Sequence, residues 1–321
     1  MPTRLPSGRD LPRFAGISTF FRFPRYEDVV DEDRPVDWAI FGVPYDGGVT
    51  YRPGARFGPR AVREQSQYVK PFHLEHGVDV SERLSMADAG DAPVRPYSAL
   101  ETLGAVAGWA ENLPDPGVTR LFAIGGDHSV AAANMRATWE RSGRPAGGMP
   151  VLHLDAHLDT VDEVWGERHG HASPFIRAIE SGFIDPRRML SLGIRGPLNT
   201  GADLDYGREH GIRVVTMSDF DDGRHRDAIE DWRKAVGDEP VYVSIDIDCV
   251  DPAFAPGTGT PACGGFSSRE FLRLLRGFAG IRIAGADVVE VLPELDQSGG
   301  TALLAAQAAM EVLALDACTR S

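Results

Sequence analysis

Residues 153–160 read HLDAHLDT, which sets His153, Asp155, His157 and Asp159 at every second position of one short segment. In an extended strand, side chains alternate with a period of two. These four therefore share one face, while Leu154, Ala156 and Leu158 share the other. Two carboxylates and two imidazoles crowded together repel and desolvate poorly. A fold keeps such a segment only if something positively charged sits among these groups, a demand that constrains the chain more than its composition does.

Around this segment the sequence alternates apolar runs with amphipathic ones. Residues 37–43, 83–90, 120–126, 150–157, 189–194, 212–217, 241–248 and 281–291 read as strands. Residues 59–69, 97–112, 129–141, 268–277 and 301–314 read as helices between them. Such alternation implies right-handed crossovers and a mostly parallel sheet covered on both faces. The expected architecture is one three-layer α/β domain over residues 36–321 with about eight strands, preceded by an Arg- and Pro-rich arm over 1–35. In open parallel sheets the ligand site lies at the carboxyl ends of the strands. GGDHS (125–129), DAHLD (155–159), DIDCVD (246–251) and VVEVLP (288–293) all fall at such ends, so four polar clusters far apart in sequence are expected at one rim.

Bulk properties narrow the partners. A net charge of −14 over 321 residues argues against nucleic acid, which needs a basic surface, and suits a cationic small molecule. No uninterrupted apolar stretch reaches the length of a membrane span, and MPTRLPSGRDLPRF lacks a signal-peptide core. Cys249, Cys263 and Cys318 are unpatterned. Together these features predict a cytoplasmic protein with no membrane partner.

His128, Asp155, His157, Asp159, Asp246 and Asp248 are the candidate metal ligands, because carboxylate oxygen and imidazole nitrogen suit hard-to-borderline divalent ions. Four carboxylates balance two such ions and are excessive for one. A two-metal site also acidifies a water held between the ions. Asp246 and Asp248 share a face if their strand continues, whereas Asp251 has the opposite parity and precedes Pro252. Other polar residues have plainer expected roles. Asp127 caps the helix that follows it, His153 is a buried hydrogen-bonded histidine, and Asp221 and Asp222 beside GRHRD form a solvated loop.

GGDHS, DAHLDT and SIDIDCVDPAFAPGTGTP resemble the three signatures of the ureohydrolase family, which includes arginase and agmatinase. GVPYDGGVTYRPGARFGPRAVRE (42–64) and GHASPF (170–175) followed by ESGFIDP are similar to its agmatinase-like branch. The resemblance implies an arginase-like fold and a binuclear manganese centre, with nickel as the alternative. It assigns His128 and Asp159 to one ion, His157 and Asp248 to the other, and Asp155 and Asp246 as bridges. It also implies hydrolysis of a guanidinium carbon to urea and an amine, with Asp159 carrying a proton, Glu290 pairing with the guanidinium and Thr260 contacting the reacting group. The proton donor to the leaving amine is His171 or His169. Alignment on Pro174–Phe175 selects His171 and leaves His169 as a pocket residue. A homotrimer or homohexamer is the assembly the family implies.

The substrate is less constrained. Val161 stands where arginase has an Asn that reads the α-amino acid end, so arginine is disfavoured and agmatine is the expected substrate. A guanidino acid such as 4-guanidinobutyrate, a proclavaminate-like compound and a small alkylguanidine are the alternatives. GTPACGG (259–265), with Cys263, departs from the agmatinase-like pattern. Asp162, Glu163 and Glu167 are candidates to face a distal ammonium or to be solvated loop acids. Two readings from other classes compete. A mononuclear zinc deacetylase would leave His128, Asp159 and Asp248 without a role, and a non-catalytic ureohydrolase-like subunit predicts broken ligands.

Overall fold

A computed structural model describes residues 5, 8–9, 11–29 and 35–320. Eight strands form one sheet: β1 (Trp38–Val43), β2 (Met86–Asp91), β3 (Arg120–Gly125), β4 (Met149–Leu154), β5 (Ile184–Ile194), β6 (Arg213–Thr216), β7 (Val241–Asp246) and β8 (Ile283–Val289). Their spatial order is β2-β1-β3-β8-β7-β4-β5-β6, and every neighbouring pair is parallel. Wholly parallel sheets must be covered on both faces, which explains why the central strands are buried along their whole length.

Two helical layers supply the cover. Alternate residues of β3 show the division: Phe122 and Ile124 join the core beneath α1 (Gly58–Ser66), α5 (His225–Val236), α6 (Ser268–Arg276) and α7 (Gly300–Cys318). Leu121 and Ala123 face α2 (Ala99–Glu111) and α3 (Val130–Arg141) on the other side. α4 (Pro174–Glu180) extends that second layer and buries Phe175 against β4 and β5. α7 is long and apolar enough to cross a membrane, yet 83% of its apolar window is buried inside the domain. Its Asp316 accepts from the Trp38 indole at 3.0 Å and pairs with Arg120, so its polar positions are matched to the core.

The described part of the N-terminal arm lies on this domain. Phe20, Phe21 and Phe23 belong to the larger core, and the Phe20 amide donates to Asp88 at 2.8 Å. Other expectations need revision. Residues 225–227 of the GRHRD stretch open α5, which buries Trp232 and Val236, although Asp221 and Asp222 remain exposed as expected. β4 stops at Leu154 and β7 at Asp246, so the strands end before the polar clusters do. Sheet register brings those ends level. Leu154 and Val288 both pair with Ile245, Val288 also pairs with Ile124, and Asp155, Asp246, Val289 and Gly125 follow as the next residues.

Candidate metal centre

Beyond that level row the chain curls instead of continuing as strand. Asp155 to Asp159 form an irregular turn in which Asp159 takes a left-handed backbone (φ 50°), and Asp248 lies in a 3₁₀ turn over Ile247–Cys249. The alternation expected of an extended HLDAHLDT therefore does not bring His157 and Asp159 to the site. Turn geometry does, and the six expected ligands still converge.

His128 Nδ1 lies 2.8 Å from Asp159 Oδ2, 3.1 Å from Asp155 Oδ2 and 3.4 Å from Asp246 Oδ2. His157 Nδ1 lies 3.1 Å from Asp248 Oδ2 and 3.4 Å from Asp155 Oδ1. Asp155 thus turns one oxygen toward each histidine, the disposition a bridging carboxylate requires. Backbone donors hold the acids in place. The amides of His157, Asp248 and Ala156 donate to Asp155 Oδ1, Asp246 Oδ1 and Asp248 Oδ1 at 2.6, 2.8 and 3.1 Å.

The buried acids strongly perturb one another and the histidines beside them. Burial and the neighbouring Asp248 and Asp155 hold the Asp246 carboxyl well above the usual range. Burial opposes a proton on His157, but Asp248 and Asp155 prevail and push its pKa up to about 12. His128 Nδ1 is buried with no hydrogen bond directed to it, although three carboxylate oxygens surround it. Its Nε2 faces Ser244 Oγ at 3.0 Å, and that hydroxyl donates to Asp287 at 2.7 Å. This relay fits an Nε2–H tautomer with the Nδ1 lone pair free for a metal. Four carboxylates and two imidazoles with no thiolate among them fit two divalent ions.

His153 is the hydrogen-bonded core histidine expected, between Ser191 Oγ at 3.1 Å and Asp155 Oδ2 at 2.9 Å. Asp127 does not cap the following helix as expected, because Ser129 holds the N-cap position with no side-chain cap; its carboxylate accepts from Ser129 N at 3.0 Å and from Gly48 N at 2.8 Å, joining two loops. Asp251 stays outside the site, where its carboxylate accepts the amides of Ala253, Gly264 and Gly265.

Glu290 follows β8 in a left-handed conformation (φ 64°) and is fully buried. Its Oε1 accepts from His128 N at 2.9 Å and meets His171 Nδ1 at 2.8 Å, while Oε2 has no partner. His171 is therefore the histidine beside the candidate guanidinium acceptor. His169 instead contacts Glu167, through its amide at 2.7 Å and Nδ1 at 3.3 Å. Burial opposes a proton on His171, but the Glu290 carboxylate beside it prevails, raising its pKa to about 9. Thr260 Oγ1 lies 3.3 Å from Asp248 Oδ2. Asp162 is engaged by Arg168 at 2.8 Å and by Arg177, and Glu167 by His169, which occupies two of the loop acids considered for a distal ammonium.

Sequence reasoning missed the Ser244–Asp287 relay and the contacts of segment 45–56. Asp287 carried a signal, as an acid inside the apolar run of β8. Gly126 carried another, since a Cβ there would stand 1.7 Å from Tyr45 O, so only glycine lets the two loops meet.

The Arginase family model matches residues 36–315. The chain is 41% identical to the guanidinopropionase of Pseudomonas aeruginosa, covering 95% of this chain and 93% of that one. It is 43% identical to the proclavaminate amidinohydrolase of Streptomyces clavuligerus, covering 94% of each. A solved structure of the Streptomyces clavuligerus protein superposes with a TM-score of 0.87, covering 96% of this chain and all of that one. The fold, the ring of acids and imidazoles and these similarities agree: the chain belongs to the arginase family and is an enzyme of the amidinohydrolase kind.

Proposed function

We propose that this protein hydrolyses the C–N bond of a linear guanidino compound to urea and an amine, using His128, Asp155, His157, Asp159, Asp246 and Asp248 to hold two manganese ions, with nickel as the alternative. The observation that carries the reading is Asp155, whose two oxygens face two different histidines. When bound, the ions neutralise the acids and supply a hydrolytic water of lowered pKa.

The chain's own groups account for the remaining steps. Glu290 has one oxygen committed to His128 N and His171, which leaves buried Oε2 to accept a guanidinium N–H. A charge-assisted bond there orients the planar group. Asp159, whose Oδ2 lies 2.8 Å from His128 Nδ1, holds the proton released by the attacking water. His171, on which the Glu290 carboxylate favours a proton, supplies the one the departing amine needs. Thr260 steadies Asp248 beside the reacting group.

For the substrate tail, a guanidino acid is favoured. Relatives named guanidinopropionase, at 41% identity, and guanidinobutyrase, at 35%, support it. So does the engagement of Asp162 and Glu167 within their own loop. Agmatine is the competing substrate, supported by the 38% identity to an agmatinase of Neisseria meningitidis. Urea release from 3-guanidinopropionate, 4-guanidinobutyrate and agmatine, on protein loaded separately with manganese and nickel, tests the reading. Product from a guanidino acid above that from agmatine supports it; the reverse order restores agmatine, and no product from any compound defeats the reaction.

A further inference from the structure

The segment 45–56 between β1 and α1 is tied to the loops that carry Asp127 and His171. The Gly48 amide donates to Asp127 at 2.8 Å, and the Gly48 carbonyl accepts the His171 amide at 2.9 Å. A Cβ on Gly48 would stand 3.1 Å from Asp127 Oδ2 and Gly170 Cα and 3.2 Å from His171 N, so glycine permits the close approach. Two residues on, Thr50 meets the same histidine side-on. Its amide lies 3.0 Å and its hydroxyl oxygen 2.7 Å from His171 Nε2.

The two Thr50 groups differ in what they can do. A backbone N–H only donates, so it requires a lone pair on Nε2, and the ring hydrogen then sits on Nδ1, facing Glu290 at 2.8 Å. A hydroxyl donates or accepts. When both ring nitrogens are protonated, Thr50 Oγ1 is the group placed to accept from Nε2. Glu290 thus favours the cation, the Thr50 amide favours the neutral ring, and the Thr50 hydroxyl fits either.

We propose that Thr50 is a positioning residue of the reaction, whose hydroxyl keeps the His171 ring aligned on Glu290 whether or not Nε2 carries a proton. The role rests on the guanidino hydrolase reading, in which His171 must lose a proton and regain it each turnover. With Thr50→Val the amide stays, but the hydroxyl is gone. A protonated Nε2 then faces a donor with no acceptor, and a buried polar group left unpaired is destabilised. The ring must turn from Glu290 or release its proton early.

The test compares Thr50→Val and Thr50→Ser with wild type as metal-loaded enzymes. Thr50→Val is expected to lower kcat about tenfold or more with KM changed by less than about twofold, and Thr50→Ser to restore most of the loss. A second measurement, independent of turnover, follows hydrogen exchange at the imidazole C2 carbon of each histidine by mass spectrometry. His171 is expected to lose its wild-type exchange rate in Thr50→Val and to keep it in Thr50→Ser, with the other histidines unmoved. Wild-type kcat and an unchanged His171 rate in Thr50→Val overturn the proposal. So does Thr50→Ser as impaired as Thr50→Val, which marks a purely scaffolding contact. A wild type that releases no urea from any guanidino compound defeats the reaction reading instead, and the exchange rates still decide the Thr50–His171 contact.

Discussion

His171 Nδ1 lies 2.8 Å from Glu290 Oε1, and this contact separates two roles within one carboxylate. Oε1 is saturated by the protein, while Oε2 is buried and unpartnered. Glu290→Gln is expected to lower kcat/KM by about a hundredfold or more, because a neutral amide forfeits the charge-assisted bond to a guanidinium. Metal content should not change. His171→Ala is expected to reduce turnover strongly with metal retained, whereas His169→Ala, whose contacts are with Glu167, should have a small effect. Steady-state kinetics with metal analysis checks both, and equal loss from His169→Ala with none from His171→Ala reverses the assignment.

Ser244 never reaches the metal pocket, yet it lies between His128 Nε2 and Asp287. Removing a partner that orients a metal-ligating histidine typically weakens metal binding by about 10–100-fold. Ser244→Ala is therefore expected to raise the metal concentration giving half-maximal activity by roughly that factor, with little change in kcat at saturating metal. An unchanged metal requirement would show that Phe175, packed against the His128 ring, orients the histidine without help.

The members of the cluster were legible in the sequence, but the route by which they meet was not. Histidine and aspartate at the ends of apolar runs marked His128, Asp155, Asp246 and their neighbours because parallel strands deliver their carboxyl ends to one rim. Parity then pointed to residues that do converge, but not by the extended geometry it assumes. An alternating pattern reads the same whether a strand continues or stops at Leu154, and only the left-handed turn at Asp159 distinguishes the two. The α5 helix was hidden because its first turn, His225–Arg226–Asp227, is polar throughout. Thr50 was invisible for another cause: its importance comes from a partner 121 positions away.

Glu311 on α7 makes a prediction about pH and stability. Burial works against its charge, but His73 at 2.7 Å and the Arg276 fork at 2.6 and 2.9 Å prevail and hold its pKa below the usual glutamate value. A folded-state pKa below the unfolded one stabilises the fold at pH above the unfolded value and loses that contribution as pH falls through the folded one. The Tm gap between wild type and Glu311→Gln should therefore be widest above about pH 5 and shrink as pH falls below the usual glutamate range. A gap that widens on acidification contradicts the assignment.

Gly126 sets the spacing between the first loop and the GGDHS loop. Gly126→Ala would put a methyl 1.7 Å from Tyr45 O, a clash with backbone that no side-chain rotation relieves. Expected outcomes are a Tm lower by several degrees, as for a loss of about 2 kcal/mol or more, together with impaired activity, since His128 lies two residues on. Calorimetry and urea release measure the two, and a wild-type Tm would contradict the packing described.

The most direct measurement is the metal stoichiometry of fully active protein, by elemental mass spectrometry alongside urea release. Two divalent ions per chain are expected, falling to one or fewer in Asp155→Ala with activity lost in step. Full activity with a single ion, or with none, would contradict the account.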